Sequence, residues 1–200
     1  SDVKAEFSIF DAAFLEEISK MKEKNIAIEL LKKLLAERVT IYQKTNLVQA
    51  EKFSDLLNRA LSNYLKGLLT NEEVIQELLK LAAEISESEN QGNELGLTAE
   101  EKSFYDALTK PRAVQDIYTN EQLVAMTKEL TDALRKNRTI DWQKKESARA
   151  GMRRMIKRLL KKYKYPPEEA ENALETVIHQ CEQWSDNDSD EYSINESTQK

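Results

Sequence analysis

Residues 70–85 read TNEEVIQELLKLAAEI, and this stretch decides the fold class. Thr70 and Glu73 stand three apart, the spacing at which a threonine hydroxyl and a glutamate carboxylate each satisfy an orphan backbone N–H at a helix start. Val74, Ile75, Leu78, Leu79, Ala82 and Ile85 follow at helical intervals, so one face is apolar and the other polar. The same signals recur in both directions. Upstream, Val48, Phe53, Leu56, Leu57, Ala60, Leu61, Tyr64 and Leu65 trace a helix, with Gly67 just past its end where a left-handed cap is wanted. Ala27, Leu30, Leu31, Leu34, Leu35 and Arg38 trace another, and Phe14, Leu15 and Ile18 open a short one. Downstream, Thr98 with Glu101 starts a helix through Phe104 and Leu108 that Pro111 breaks. Thr119 with Gln122 starts the next, through Leu123, Val124, Met126, Leu130 and Leu134. Asp141 reads as the N-cap of a helix reaching Tyr163. Pro166 and Pro167 end that helix and open the last one, whose first turn carries Glu168, Glu169 and Glu171 against the positive end of the dipole.

The expected architecture is therefore all-α, an irregular bundle of seven or eight amphipathic helices with no sheet. Only four glycines and three prolines occur, too few for the tight turns of a many-stranded sheet. Residues 84–96 (EISESENQGNELG) are polar and lack periodicity. Four parts are expected: a helical part over 1–86, a flexible loop over 87–97, a second helical part over 98–184, and a disordered acidic tail over 185–200. Helix lengths and spacings differ too much for a repeat array.

Composition excludes several classes of function. No run approaches the roughly 18 apolar residues that cross a bilayer, and no basic-then-apolar leader opens the chain. The chain lacks an initiator Met, as expected of a segment cut from a longer protein or of a tag remnant. The single cysteine, Cys181, fits a reducing cytoplasm. Gly92 and Gly96 are followed by Leu97 rather than Lys, so no Walker-type phosphate loop is present. His179 and Cys181 stand two apart and point in different directions on a helix, which prevents shared metal binding or a nucleophile–base pair. Asp186, Asp188 and Asp190 imitate a calcium loop, but Glu191 replaces its glycine and Ser197 its closing glutamate. Acidic neighbours such as Glu16 with Glu17 and Glu72 with Glu73 read as solvated faces. No catalytic residue, metal ligand, cofactor or small-molecule substrate is expected in this chain.

One segment departs from the background. Between Arg135 and Lys164 stand thirteen lysines or arginines against Asp141 and Glu146, a local surplus of +11 inside a chain of net charge −6, which leaves −17 for the remainder. In the basic helix 142–164, Ala148, Met152, Met155, Ile156, Leu159 and Tyr163 form the apolar stripe. The candidate contact residues are Lys145, Arg149, Arg153, Arg154, Lys157, Arg158 and Lys161. Three readings stay open: a solvated face balanced by Glu168 to Glu175, docking onto an acidic protein surface, or phosphate contact with double-stranded DNA.

This region also resembles a known family. Asn137-Arg138-Thr139-Ile140-Asp141-Trp142, then Glu146, Arg149, Ala150 and Arg153, then Arg158-Leu159-Leu160, closing on Tyr163-Lys164-Tyr165-Pro166-Pro167, resembles the C-terminal region of the restriction (R) subunits of Type I restriction-modification enzymes. Phe104-Tyr105-Asp106-Ala107-Leu108 and residues 116–134 fit the same pattern; the likeness is close over 98–184 and looser over 1–85. The resemblance implies a parent subunit with nuclease and helicase-like motor domains, using ATP and Mg to translocate duplex DNA and cut it. It implies that the helical C-terminal part is non-catalytic and holds the subunit on the methyltransferase and specificity subunits, with Trp142 a core anchor.

Overall fold

The computed structural model describes residues 10–197, with side chains to residue 187, and the expected all-α class holds. Among these residues there are nine α-helices and one 3-10 turn, rather than seven or eight helices: α1 (Ala12–Ser19), α2 (Lys24–Thr45), α3 (Leu47–Leu65), α4 (Asn71–Glu94), α5 (Ala99–Thr109), α6 (Arg112–Ile117), α7 (Asn120–Asn137), the turn Trp142–Lys144, α8 (Glu146–Lys162) and α9 (Pro167–Ser197). None is long and apolar enough to cross a membrane. The three capping boxes form as their spacing predicts, each with reciprocal hydrogen bonds: Thr70 with Glu73, Thr98 with Glu101, and Thr119 with Gln122. Gly67, at φ +75, closes α3: its N–H donates to the carbonyl of Tyr64, and that of Leu68 to the carbonyl of Asn63.

Four expectations are corrected. The stretch 87–97 is helical as far as Glu94 rather than a loop. Ile85 and Gly92 keep a buried side to the end of α4, and Glu89 accepts from the Tyr42 hydroxyl (2.8 Å) and pairs with Arg38 (3.6 Å). The break comes only at Gly96, φ +70. The segment 185–200, expected to be disordered, is helical to Ser197, with residues 198–200 outside the described ones. No proline or glycine follows Pro167, and Asp186 and Asn187 accept from Gln143 and donate to the Lys44 carbonyl, respectively. Asp141 does not cap α8: it precedes the 3-10 turn in the left-handed region at φ +55 with no side-chain capping bond, and α8 begins at Glu146, after Lys145. Beyond Pro111, a sixth helix forms where none was expected, and Gln115 donates to the terminal carbonyl of Thr109.

The described residues divide into two compact units, 10–43 with 49–94, and 44–48 with 95–197. In the first, α1 packs on α4, and Ala27, Leu31, Leu35, Phe53, Leu57, Val74, Leu78 and Ile85 build the core. In the second, α5 is the central element, packed against α6, α7 and α9. Every residue from Lys102 to Thr109 is buried, so even its polar positions need partners within the protein. Lys102 pairs with Asp106 at 2.5 Å, and the other Asp106 oxygen accepts from Asn46 at 2.8 Å. Trp184 Nε1 donates to Ser103 Oγ, and Tyr165 OH to the Leu108 carbonyl. The short link between α2 and α3 is held by this unit: fully buried Gln180 accepts from the Leu47 N–H (2.9 Å) and donates to the Thr45 carbonyl (3.2 Å).

Cys181 lies fully buried on α9, and burial pushes its thiol up to about 12, partly offset by Arg138. The folded protein is therefore expected to resist thiol reagents at pH 8 and to react stoichiometrically in urea. Full labelling of the native chain would contradict this placement.

Candidate partner-binding surface

The basic helix α8 buries Met152, Ile156, Leu159 and Leu160. It ends in a Schellman turn, the Lys164 N–H donating to Lys161 and the Tyr165 N–H to Leu160. Lys164 takes the left-handed position at φ +55 that glycine usually fills, and the Tyr118 hydroxyl donates to the Tyr163 carbonyl at 2.7 Å. The orientation of α8 about its own axis is thereby fixed by its buried stripe and its C-terminal cap.

That orientation separates the candidate residues into two sets. Arg149 and Arg153 turn toward α9, where they pair with Glu182 and Glu175; rising numbers on α8 meet falling numbers on α9, so the two helices run antiparallel. The second guanidinium nitrogen of Arg153 completes a fork on Glu175 at 3.2 Å. Lys162 pairs with Glu129 of α7 at 2.6 Å, and the same carboxylate accepts from Tyr163. Arg135 and Arg138 converge on Glu100, at 3.0 and 3.7 Å. By contrast Lys145, Arg154, Lys157, Arg158 and Lys161 are exposed and have no acidic partner among the described residues. Lys164, not among the expected contacts, shares that condition. Of the acidic residues expected to balance this face, Glu168 to Glu175, only Glu175 meets a candidate cation among the described residues, on Arg153; Arg149 pairs instead with Glu182, outside that stretch.

Glu175 and Glu182 stand seven apart on α9, which is the signal the sequence carried for this pairing; which helix they would face was not legible in it. The left-handed Asp141 and the buried Trp142 also leave Ile140 87% exposed at the corner before α8. Among the described residues no cluster of histidine, cysteine or acidic side chains is arranged to hold a metal ion.

Residues 2–187 match the family model for the C-terminal part of Type I restriction enzyme HindI endonuclease subunit-like proteins. The chain belongs to this family. Over 178 residues it is 37% identical to the Type I restriction enzyme HindI endonuclease subunit of Haemophilus influenzae, a match that covers 89% of this chain and 17% of that protein. Over 160 residues it is 31% identical to a Methanocaldococcus jannaschii chain assigned as the type I restriction enzyme MjaIXP endonuclease subunit, covering 80% of this chain and 15% of the relative. The chain thus spans about a sixth of the length of these relatives. No solved structure gives a significant match.

In this HindI-type C-terminal region the paired carboxylates carry a pH signature. The hydrogen bond from Arg153 holds the Glu175 carboxyl below its ordinary value of 4.5, and those from Lys162 and Tyr163 do the same for Glu129. Groups with a lowered folded-state value stabilise above the unfolded value and lose that contribution as pH falls through the folded one. Thermal stability is expected to drop on acidification below that ordinary value of 4.5. The Glu175→Gln variant should show a shallower drop when Tm is followed from neutral to acidic pH. An identical acid limb in the variant would rule out this pair as a contributor. Both carboxylates are partly solvent-exposed, so the effect is a modest one.

Proposed function

We propose that this domain is a non-catalytic assembly module, docking the ATP-dependent, DNA-translocating endonuclease subunit onto its methyltransferase and specificity subunits in the cytoplasm. ATP, Mg and DNA cleavage belong, in this reading, to the remainder of the subunit. What supports it is membership of a family defined as the C-terminal part of such endonuclease subunits. In this reading the exposed Ile140 at the corner before α8 is the contact point. An apolar side chain held outward by a left-handed residue and a buried tryptophan is preorganised to enter a partner's pocket, with little ordering to be lost on binding.

The test is size-exclusion chromatography with light scattering, mixing the chain with its cognate methyltransferase–specificity core, without and with duplex DNA. A complex that forms without DNA is expected, and Ile140→Asp should weaken it at unchanged helicity. Absence of any complex with the core would end the assembly reading for this domain.

A further inference from the structure

Arg154, Lys157, Arg158 and Lys161 occupy positions i, i+3, i+4 and i+7 of α8, so four cations share one side over about 10 Å of helix axis. Lys145 and Lys164 lie just outside the two ends of the helix and are also exposed. None of the six has an acidic partner among the described residues, although three other cations of the same segment, Arg149, Arg153 and Lys162, do. The N-terminal half of the same face is Ser147, Ala150 and Gly151; a Cβ added at Gly151 would meet only the Arg154 guanidinium, at 3.9 Å. The surface there is low and open.

The chemistry of this face discriminates between anionic partners. Protein interfaces centre on aromatic or apolar anchors and are depleted in lysine. Here two of the four cations are lysines, no aromatic or large apolar side chain stands among them, and the exposed large hydrophobics of the second unit among the described residues, Ile117 and Ile140, lie outside α8. Single-stranded nucleic acid is held by aromatic side chains on which bases stack, and this face carries none. A straight series of cations beside a low surface matches a polyanion of regular charge spacing that approaches closely along its length. We infer that the outward face of α8 contacts the phosphate backbone of duplex DNA without reading its base sequence. The contact is independent of docking onto the core: either can fail while the other stands.

Fluorescence anisotropy of labelled duplexes of about 30 base pairs, in two unrelated sequences, tests this with the chain titrated from about 50 to about 200 mM salt. Four to six phosphate contacts give a slope of log affinity against log salt of about −4 to −5, a loss of between two and three orders of magnitude across that range. Both sequences should bind alike. The paired variants Arg154→Gln/Lys157→Gln and Arg158→Gln/Lys161→Gln should each remove about two from the slope. The inward pair Arg149→Gln/Arg153→Gln should leave it unchanged at salt and temperature where the fold is intact. No duplex binding at the lowest salt, or a slope indifferent to the outward pairs, would overturn the inference. Tighter binding of a single strand, or of labelled polyglutamate, would overturn it in favour of a different partner.

Discussion

Replacing Asp106 with alanine is expected to destabilise the second unit by about 3–5 kcal/mol, the cost of removing one partner from a buried ion pair. Asp106 and Lys102 lie on the central helix α5, with side chains only 7% and 10% exposed. Both carboxylate oxygens are engaged, one by the Lys102 ammonium and one by the Asn46 amide. Alanine leaves a desolvated ammonium to lose its carboxylate, and no water can easily reach it. The double variant Asp106→Asn/Lys102→Met removes both charges, keeps an acceptor for Asn46, and should recover most of the loss. Both tryptophans, Trp142 and Trp184, lie in the second unit, so tryptophan fluorescence during urea unfolding follows that unit specifically. A single variant within about 1 kcal/mol of the parent would show that the pair is not buried as described.

Trp142→Ala should cost a similar amount, about 3–5 kcal/mol, through lost burial and the cavity left behind. Trp142 is 1% exposed, and its Nε1 donates to Ser185 Oγ, whose hydroxyl donates onward to the Cys181 carbonyl. The residue stands between the left-handed Asp141 and the start of α8, so the cavity would loosen both the corner and the helix. Trp142→Phe keeps most of the apolar area and loses the hydrogen bond, and should cost about 1 kcal/mol beyond the smaller volume change. Trp184 then reports the transition in either variant. An alanine variant as stable as the phenylalanine one would deny Trp142 its anchoring role.

Helix starts were the most legible part of this sequence, because a capping box is a local reciprocal bond whose spacing is written directly in the chain. The ends were harder. Residues 84–96 read as a loop because Ser86, Glu87, Ser88, Asn90 and Gln91 are polar, yet a helix needs only one covered side, and Ile85 and Gly92 supply it. The partners of Glu89 are Tyr42 and Arg38, more than forty residues away, and no local window contains them. The same applies after Ser185, where Asn187 reaches the Lys44 carbonyl. For the candidate surface, the apolar stripe of α8 was visible, but the division of its cations was not. Arg149 and Arg158 look alike in sequence; only the presence of Glu182 on the antiparallel α9 distinguishes a structural arginine from an available one.

The five residues 44–48 give the second unit a property that its own helices do not. Gln180 is hydrogen-bonded to backbone 133 and 135 residues earlier, and Asn187 to a carbonyl 143 residues earlier. From the standpoint of this unit, residues 49–94 are an excursion between two of its parts, so no single cut yields two self-sufficient pieces. A clone beginning at residue 95 would leave Gln180 facing nothing and Asp106 short of a donor. During synthesis the second unit must hold its early segment waiting until α9 has emerged, and long-range closures of this kind are slow. In recombination between related subunits, a crossover near residue 95 would separate Gln180 from the segment it grips, and the inheritable module is the whole of 44–197.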